Sequence, residues 1–195
     1  MSDLVIKDRV QIYDSLLEPN ECEQLIQKVE SIGFEDAYII SNGEKVFAKE
    51  IRNNQRVILD DPDLAKYLWG KVVSSLSIKV EGWSPAGLNE RFRFYRYTKH
   101  QMFRMHRDFP FEREGQVSKL SLIIYLNEEF EGGQTDFREF EVSPKTGRAI
   151  AFEHNLLHEG KSILSGVKYA VRTDVMFEKN NVNIGVTSNV MTRPT

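Results

Sequence analysis

Three side chains in the C-terminal half of the chain are candidates for binding a divalent metal ion. His106 and Asp108 are two residues apart, and residues i and i+2 of a β-strand point to the same face. His158, in the sequence LLHEG, is the one later histidine predicted to stand at the end of a strand. Two imidazoles and one carboxylate from two strands would together form a three-ligand site.

This set of ligands indicates a particular chemistry. Two histidines and one carboxylate on one face of a metal ion are typical of non-haem Fe(II) oxygenases, and they leave three coordination positions open for a co-substrate and oxygen. A His-x-Asp pair alone also occurs on ordinary protein surfaces, so the hypothesis depends on the motifs around it.

Those motifs resemble the prolyl-4-hydroxylase-like group of 2-oxoglutarate- and Fe(II)-dependent dioxygenases. The stretch YTKHQMFRMHRD, from Tyr97 to Asp108, is similar to the family signature tyrosine-x-x-glycine-glutamine-x-tyrosine-x-x-histidine-x-aspartate, with His100 at the usual glycine and Phe103 at the usual tyrosine. The resemblance extends from about Asn89 to Phe177. Its later motifs are Tyr125-Leu126-Asn127, Gly132-Gly133-Gln134-Thr135-Asp136-Phe137, Pro144-Lys145-x-Gly147, His158-Glu159-Gly160 and Gly166-Val167-Lys168.

The resemblance implies a reaction and its cofactors. His106, Asp108 and His158 would be the catalytic metal ligands for Fe(II), with 2-oxoglutarate and O2 as co-substrates and ascorbate as a reductant. The reaction would hydroxylate an unactivated C–H bond and release succinate and carbon dioxide. Lys168 follows His158 by ten residues, the position of the family's lysine that binds 2-oxoglutarate.

The alternation of side chains along the strands adds candidates for the co-substrate site. In KLSLIIYLN the face Leu120, Leu122, Ile124 and Leu126 is entirely aliphatic, so it should pack on helices and leave Tyr125 inside to bind an anion. Lys168 and Arg172 share one face of KYAVRTDVMF, and a buried cation needs a charged partner. Arg172 is a second contact to 2-oxoglutarate, a substrate contact or a structural ion pair with Asp174.

Two other segments supply candidates for substrate binding. Arg93 and Tyr95 share a face of NERFRFYRY with Tyr97, which the resemblance places in the pocket as a further candidate for binding 2-oxoglutarate. This cationic, aromatic wall would suit a carboxylate or the carbonyl groups of a polypeptide, unless the strand is simply amphipathic. Arg52 and Asn54 belong to a polar stretch at 49–56, which is either a solvated loop or a lid loop over the active site.

Composition limits the function classes. The 195 residues favour one domain, 1–195. The net charge of −3 does not favour nucleic-acid partners. A single cysteine, Cys22, favours a reducing, cytoplasmic compartment. The sequence shows no signal peptide and no apolar run long enough to cross a membrane. Either a monomer or a homodimer is compatible with it.

The predicted fold is mainly β (α+β), with a core of short strands that is typical of a jelly roll. The resemblance narrows this to a double-stranded β-helix (cupin-like) over 88–178, supported by N-terminal helices and strands in 1–87. Asn20 and Asp61 are the predicted N-caps of two helices, and WSPAG, from Trp83, is predicted to be a turn. The tail at 179–195 is either disordered or an edge strand.

Several alternatives remain open at this level. The substrate is a protein or peptide, plausibly at proline, or a free amino acid or other small molecule. From another class, a cupin-like metal or 2-oxo-acid binding module without turnover would need the same ligands. If the side chains of this strand alternate with a two-residue period, Met102 and Arg104 should lie on the pocket face with His106. Neither His154 nor His100 is expected to bind the metal. Each should lie behind the metal ligands or be exposed to solvent.

Overall fold

The computed structural model describes residues 8–180, which contain two helices, α1 (Pro19–Ile32) and α2 (Pro62–Val72). Each begins with a proline, which suits the first helical position because its missing N–H would have no partner there. Asp61 caps α2, as predicted, by accepting a hydrogen bond from the Leu64 amide. No helix among the described residues is long and apolar enough to cross a membrane.

The rest of the described chain is mainly short strands. Their bounds are β1 Val10–Tyr13, β2 Glu35–Asp36, β3 Ile39–Ser41, β4 Glu44–Val46, β5 Gln55–Asp60, β6 Trp83–Leu88, β7 Arg91–Tyr97, β8 Phe103–His106, β9 Glu112–Arg113, β10 Gln116–Tyr125, β11 Phe130–Gly132, β12 Thr135–Asp136, β13 Glu141–Val142, β14 Ala149–Glu153, β15 His158–Gly160, β16 Ile163–Gly166 and β17 Lys168–Lys179.

These strands form two principal sheets. The large sheet has the order β1-β14-β10-β17-β7-β5-β2, with β6 beside β17 and β9 beside β10, and the small sheet has the order β13-β12-β15-β8. All of their pairings are antiparallel, and neighbours in space are mostly distant in sequence. The predicted mainly β, jelly-roll architecture with supporting helices is confirmed.

The large sheet is buried on both faces. Its outer face carries the aliphatic side chains of β10, among them Leu120 and Leu122, which pack with Leu68 of α2 and Val29 of α1 in the main hydrophobic core, as predicted. Its inner face turns toward the small sheet, and the two sheets line one pocket between them. The alternation of β10 therefore separates the structural core from the pocket.

Three local predictions were wrong. The cap of α1 is Glu18, which forms a reciprocal capping box with Glu21, because Pro19 occupies the first helical position and leaves Asn20 inside the helix. The segment WSPAG belongs to β6, which pairs with the end of β17 and has a register shift beside Pro85. Pairing with a long strand overrides its local turn chemistry, since Pro is tolerated at such irregular positions.

The third error concerns the face of β8. His106 lies opposite His158, but Phe103, rather than Arg104, lies opposite Gly160. Three steps along β8 thus span two steps along β15, a bulge that breaks the two-residue period. Phe103 therefore lines the pocket, and Arg104 is exposed with its Nε bonded to the Glu50 carbonyl. Met102 is absent from the pocket wall.

The segment at 49–56 is exposed only at its start, and from Arg52 onward it is not a solvated loop. Arg52, Asn54 and Arg56 are all buried, and the backbone of the segment bonds to β8, where the Arg104 amide donates to the Ile51 carbonyl at 2.9 Å. The tail at 179–195 lies almost entirely outside the described residues, which end at 180.

We expect Gly147→Ala to lower the free energy of unfolding by about 2–4 kcal/mol. Gly147 has φ +77°, and an added Cβ would lie 1.9 Å from the carbonyl oxygen of Leu17. Urea denaturation measures the effect. Gly70→Ala is the control, because Gly70 is exposed on α2 with no atom near its Cβ position, and it should raise stability by about 0.5–1 kcal/mol. Equal stabilities for the two variants would contradict the account.

Candidate active site

The predicted metal ligands come together where the two histidine strands of the small sheet pair. His106 on β8 lies opposite His158 on β15, and their ring centres are 4.2 Å apart. Asp108 follows β8 by two residues, and its oxygens lie 3.7 Å from the Nε2 atoms of both histidines. Ligand atoms of all three residues lie within 4.8 Å of one another, so the group could hold a metal ion.

Backbone carbonyls orient both imidazoles. His106 Nδ1 is 2.7 Å from the Arg104 carbonyl, and His158 Nδ1 is 3.0 Å from the Leu156 carbonyl. Because a carbonyl only accepts, each Nδ1 must carry the proton, which leaves each Nε2 lone pair free and directed at the shared centre. A hydrogen bond at the other ring nitrogen is the usual means of fixing a ligating histidine.

The electrostatics keep the three residues in ligating protonation states. Burial, followed by the neighbouring His158, lowers the pKa of His106 to about 3, and burial also lowers the pKa of His158. Burial alone would raise the pKa of Asp108, but Arg172 and the two histidines hold it well below its usual range. Neutral imidazoles beside an ionised carboxylate are what a divalent metal requires.

A hydrogen-bonded chain holds Asp108 from behind. The Ser121 hydroxyl donates to Asp108 Oδ2 and accepts from His154 Nδ1 at 3.0 Å. His154 Nε2 lies 2.8 Å from the Ser118 hydroxyl. Because burial lowers the pKa of His154, the ring is neutral with its proton on Nδ1, so Nε2 accepts from that hydroxyl. His154 thus lies behind the ligands and is buried; His100 is exposed, with φ +68° at the position of the family's glycine.

Lys168 lies in the same pocket and lacks an acidic partner among the described residues. Its side chain is buried, and its ammonium group donates to the Gly133 carbonyl at 2.6 Å. Burial lowers the pKa of Lys168 to about 7. Tyr125 is fully buried beside it and donates to the Thr135 hydroxyl at 2.7 Å. A carboxylate placed here could contact the Lys168 ammonium and the hydroxyl groups of Tyr125 and Thr135.

Glycine is required next to this lysine. Gly133 has φ +69°, and an added Cβ would lie 2.6 Å from Ile163 and 3.1 Å from the Lys168 stem. The GGQTDF motif therefore has a geometric reason, because it lets the chain pass close to Lys168 and present its carbonyl.

Aromatic and aliphatic side chains close the pocket wall. Phe103 stacks on the His106 ring with centres 3.6 Å apart, and Ile123 and Tyr97 line the same space. Burial raises the pKa of Tyr97, so its hydroxyl stays protonated at neutral pH. These side chains shield the metal ligands from bulk water.

The residues predicted to bind substrate lie next to this pocket. Tyr95 lines it, and Arg93 stands opposite Arg172 on the adjacent strand. The Arg52 guanidinium carbon lies 4.8 Å from the centre of the Tyr95 ring, and Arg52 Nε donates to Asn54 at 2.8 Å. Arg172 itself pairs with Asp108 at 3.0 Å and with Asp174 at 2.8 Å.

Sequence reasoning did not assign roles to Ser121, Thr135 or Phe103. Ser121 could have been found, since it shares the inward face of β10 with Tyr125. Thr135 stands within the GGQTDF motif, yet its contact with Tyr125 depends on the packing of two separate sheets. Phe103 was missed because the bulge in β8 is not visible in the spacing of the residues.

Known proteins with similar sequences are oxygenases of the kind that the site geometry indicates. Residues 92–173 match the family model described as the 2OG-Fe(II) oxygenase superfamily. A protein of Acanthamoeba polyphaga mimivirus named "Putative prolyl 4-hydroxylase" is 25% identical over 180 residues, which cover 81% of this chain and 70% of that protein.

Solved prolyl hydroxylases share the fold. A prolyl hydroxylase of Trichoplax adhaerens, in complex with a hypoxia inducible factor peptide, has a TM-score of 0.67 at 18% identity, covering 89% of this chain and 86% of that one. The viral collagen prolyl hydroxylase of Paramecium bursaria Chlorella virus-1, in complex with 2OG, has a TM-score of 0.61 at 20% identity, covering 86% and 96%.

The segment that carries the site therefore belongs to the 2OG-Fe(II) oxygenase superfamily. This match, together with the relatives named prolyl hydroxylases, indicates a dioxygenase, a class of enzyme that uses Fe(II), 2-oxoglutarate and O2. These findings do not favour a binding module without turnover.

We expect Ser121→Ala to weaken metal binding by about 10–100-fold, the usual effect of losing a residue that orients a ligand. The variant removes the hydroxyl that donates to Asp108 Oδ2. Calorimetric titration with Co(II) measures the affinity. Ser118→Ala is the control, because Ser118 contacts the far nitrogen of His154 and not Asp108. An unchanged affinity in Ser121→Ala would show that the hydroxyl does not orient the carboxylate.

Proposed function

We propose that the protein hydroxylates an unactivated C–H bond of a peptide or amino-acid substrate, with proline as the leading candidate. His106, Asp108 and His158 are the Fe(II) ligands in this proposal, and Lys168 with Tyr125 binds 2-oxoglutarate. Fe(II) with 2-oxoglutarate and O2 supplies the oxidising power, and succinate and carbon dioxide are the co-products.

The observation that carries the proposal is the buried ammonium of Lys168. A buried charge without a counterion is costly, and Lys168 shows this cost as a pKa lowered to about 7 by burial alone. A carboxylate bound beside it would supply the missing counterion. 2-Oxoglutarate has such a group at the end opposite its metal-chelating atoms, and Lys168 shares its pocket with all three candidate ligands.

The other residues of the pocket position and protect the reactants. Tyr125 is fully buried, and burial raises its pKa, so its hydroxyl remains a donor that can bond the same carboxylate. Arg172 keeps Asp108 ionised and fixes one of its oxygens, while Ser121 fixes the other. Phe103 and Ile123 exclude water from the centre, which limits unproductive reactions.

The substrate proposal draws on the relatives and on the pocket wall. Three of the solved relatives are prolyl hydroxylases, and one of these is in complex with a hypoxia inducible factor peptide. In this chain the pocket wall on the proposed substrate side is formed by Tyr95. Beside it lie Arg52, Asn54 and Arg93. A free amino acid remains the second candidate substrate for the same wall.

The proposal has three further features. Ascorbate as a reductant follows from the family alone. A cytoplasmic location follows from the single cysteine, Cys22, which is buried in the hydrophobic core and unpaired. A monomer or a homodimer is proposed for the assembly.

We expect Lys168→Met to weaken 2-oxoglutarate binding by about 100-fold, since it removes a buried charged donor. Anaerobic calorimetry on the metal-loaded protein measures the affinity. The melting temperature should not fall, because the variant also removes a buried unpaired charge. Lys161→Met is the control, since Lys161 is a half-exposed lysine paired with Glu141. An unchanged affinity for 2-oxoglutarate in Lys168→Met would show that a different cation binds its carboxylate.

We expect 2-oxoglutarate binding to depend on pH through the same lysine. In the free protein the pKa of Lys168 is about 7, and a bound carboxylate would raise it, so binding takes up a proton. The apparent Kd should therefore be constant below about pH 7 and rise by up to about tenfold per pH unit above it. Lys168→Arg, which stays charged, should flatten this rise. A flat profile in the parent protein would contradict the assignment.

A further inference from the structure

A second group of cations lies beside the proposed metal site, on the inner face of the large sheet. Arg93 of β7 and Arg172 of β17 are cross-strand partners, and Tyr95 follows Arg93 on the same face. Arg52 reaches this place from the segment before β5 and lies over the rings of Tyr95 and Phe103. Three guanidinium groups therefore surround one phenol; these four residues are called the arginine cluster below.

Two of these guanidinium groups have buried donors without a hydrogen-bond partner among residues 8–180. Arg52 is only 7% exposed, and its Nη2 has no acceptor. Arg172 has a side chain that is 14% exposed, and its Nε has none either. Buried N–H groups are normally paired, so acceptor atoms from outside the chain are expected here.

The carboxylates nearby do not neutralise the cluster. Asp174 accepts from Arg172 at 2.8 Å and from Arg93 at 3.3 Å, and Asp108 accepts from Arg172 at 3.0 Å. Among residues 8–180 no carboxylate forms an ion pair with Arg52. With Lys168 included, four cations face two carboxylates.

Loading the site would not remove this excess. The charge of Fe(II) and that of the 2-oxoglutarate dianion cancel, so two positive charges remain in the walls of the loaded pocket. The phenol of Tyr95 responds to them: burial alone would raise its pKa, but Arg52, Arg172 and Arg93 together lower it. A neutral substrate would leave these charges without a counterion.

We propose that the arginine cluster binds a carboxylate of the substrate, so that the enzyme selects an anionic substrate. The planar guanidinium fork matches a carboxylate with two parallel hydrogen bonds, and Arg52 has a donor free for one. The carboxylate belongs either to the end of an amino acid or peptide, or to an acidic side chain next to the hydroxylated residue. This inference rests on the proposed function, and it narrows the substrate class.

The test is a calorimetric titration of the full chain loaded with Zn(II) and 2-oxoglutarate, which cannot turn over. The probes are two matched pairs. N-acetyl-L-proline and N-acetyl-L-prolinamide test a terminal carboxylate; N-acetyl-aspartyl-proline amide and N-acetyl-asparaginyl-proline amide test an acidic side chain. In at least one pair, the charged member should bind about tenfold or more tightly than the neutral one. The pair that shows the preference identifies the source of the carboxylate.

Variants assign the preference to particular residues. Arg93→Gln should remove the preference for the charged probe, because it removes one of the three guanidinium groups of the arginine cluster. Arg93 is partly exposed, so it can be changed without opening the core. Arg52→Lys keeps the charge but loses the fork, so it should weaken the preference. Arg91→Gln is the control: Arg91 lies two residues away on β7 but pairs with Asp60 at the surface, and its loss should leave the preference intact. Melting temperatures verify that each variant is folded.

The outcomes are separable from failure of the proposed function. If the Zn(II)-loaded protein does not bind 2-oxoglutarate, the proposed function fails first. If it binds 2-oxoglutarate but neither pair shows a preference, or neither pair binds, the anionic-substrate inference is overturned alone. A preference that survives Arg93→Gln, or that Arg91→Gln removes equally, would also overturn it.

Discussion

The ion pair between Asp108 and Arg172 joins the two sheets at the point where the metal ligands meet. Asp108 follows β8 of the small sheet, and Arg172 belongs to β17, near the middle of the large sheet. Burying a carboxylate among two imidazoles requires such a partner, since an unpaired charge would neutralise itself or unfold the site. One oxygen of Asp108 is held by Arg172 and the other by Ser121, so the ligand cannot turn away from the histidines.

The need to pair buried charges applies to the rest of the pocket as well. Within the described part of the chain, Lys168 has no counterion at the position where a co-substrate carboxylate would bind, and the arginine cluster has an excess of positive charge where a substrate would approach. Each unbalanced charge is stabilised only when its ligand arrives. In the proposed function the pocket would bind two anions in succession, whereas the hydrophobic face of β10 behind it packs in the main core.

The sequence predicted the parts of this arrangement that depend on local pattern. The two-residue period of β10 and β17 predicted that Tyr125 and Lys168 point inward, and both are buried, with the Lys168 ammonium 5.2 Å from the centre of the Tyr125 ring. Asp61 with Pro62 correctly marked the start of α2. What could not be predicted depends on pairing between distant strands. The bulge in β8 exchanges Arg104 for Phe103 on the pocket wall, and the burial of Arg52 and Asn54 follows from a segment that lies against β8.

The central claim is that the His–Asp–His group and Lys168 together bind Fe(II) and 2-oxoglutarate. The most direct measurement is an anaerobic titration of metal-free protein with Fe(II) and then with 2-oxoglutarate, followed by visible absorbance. The account predicts a new charge-transfer band that is absent in His106→Ala and present in His100→Ala. If the parent protein binds Fe(II) but gives no band, 2-oxoglutarate does not chelate the metal, and the account is contradicted.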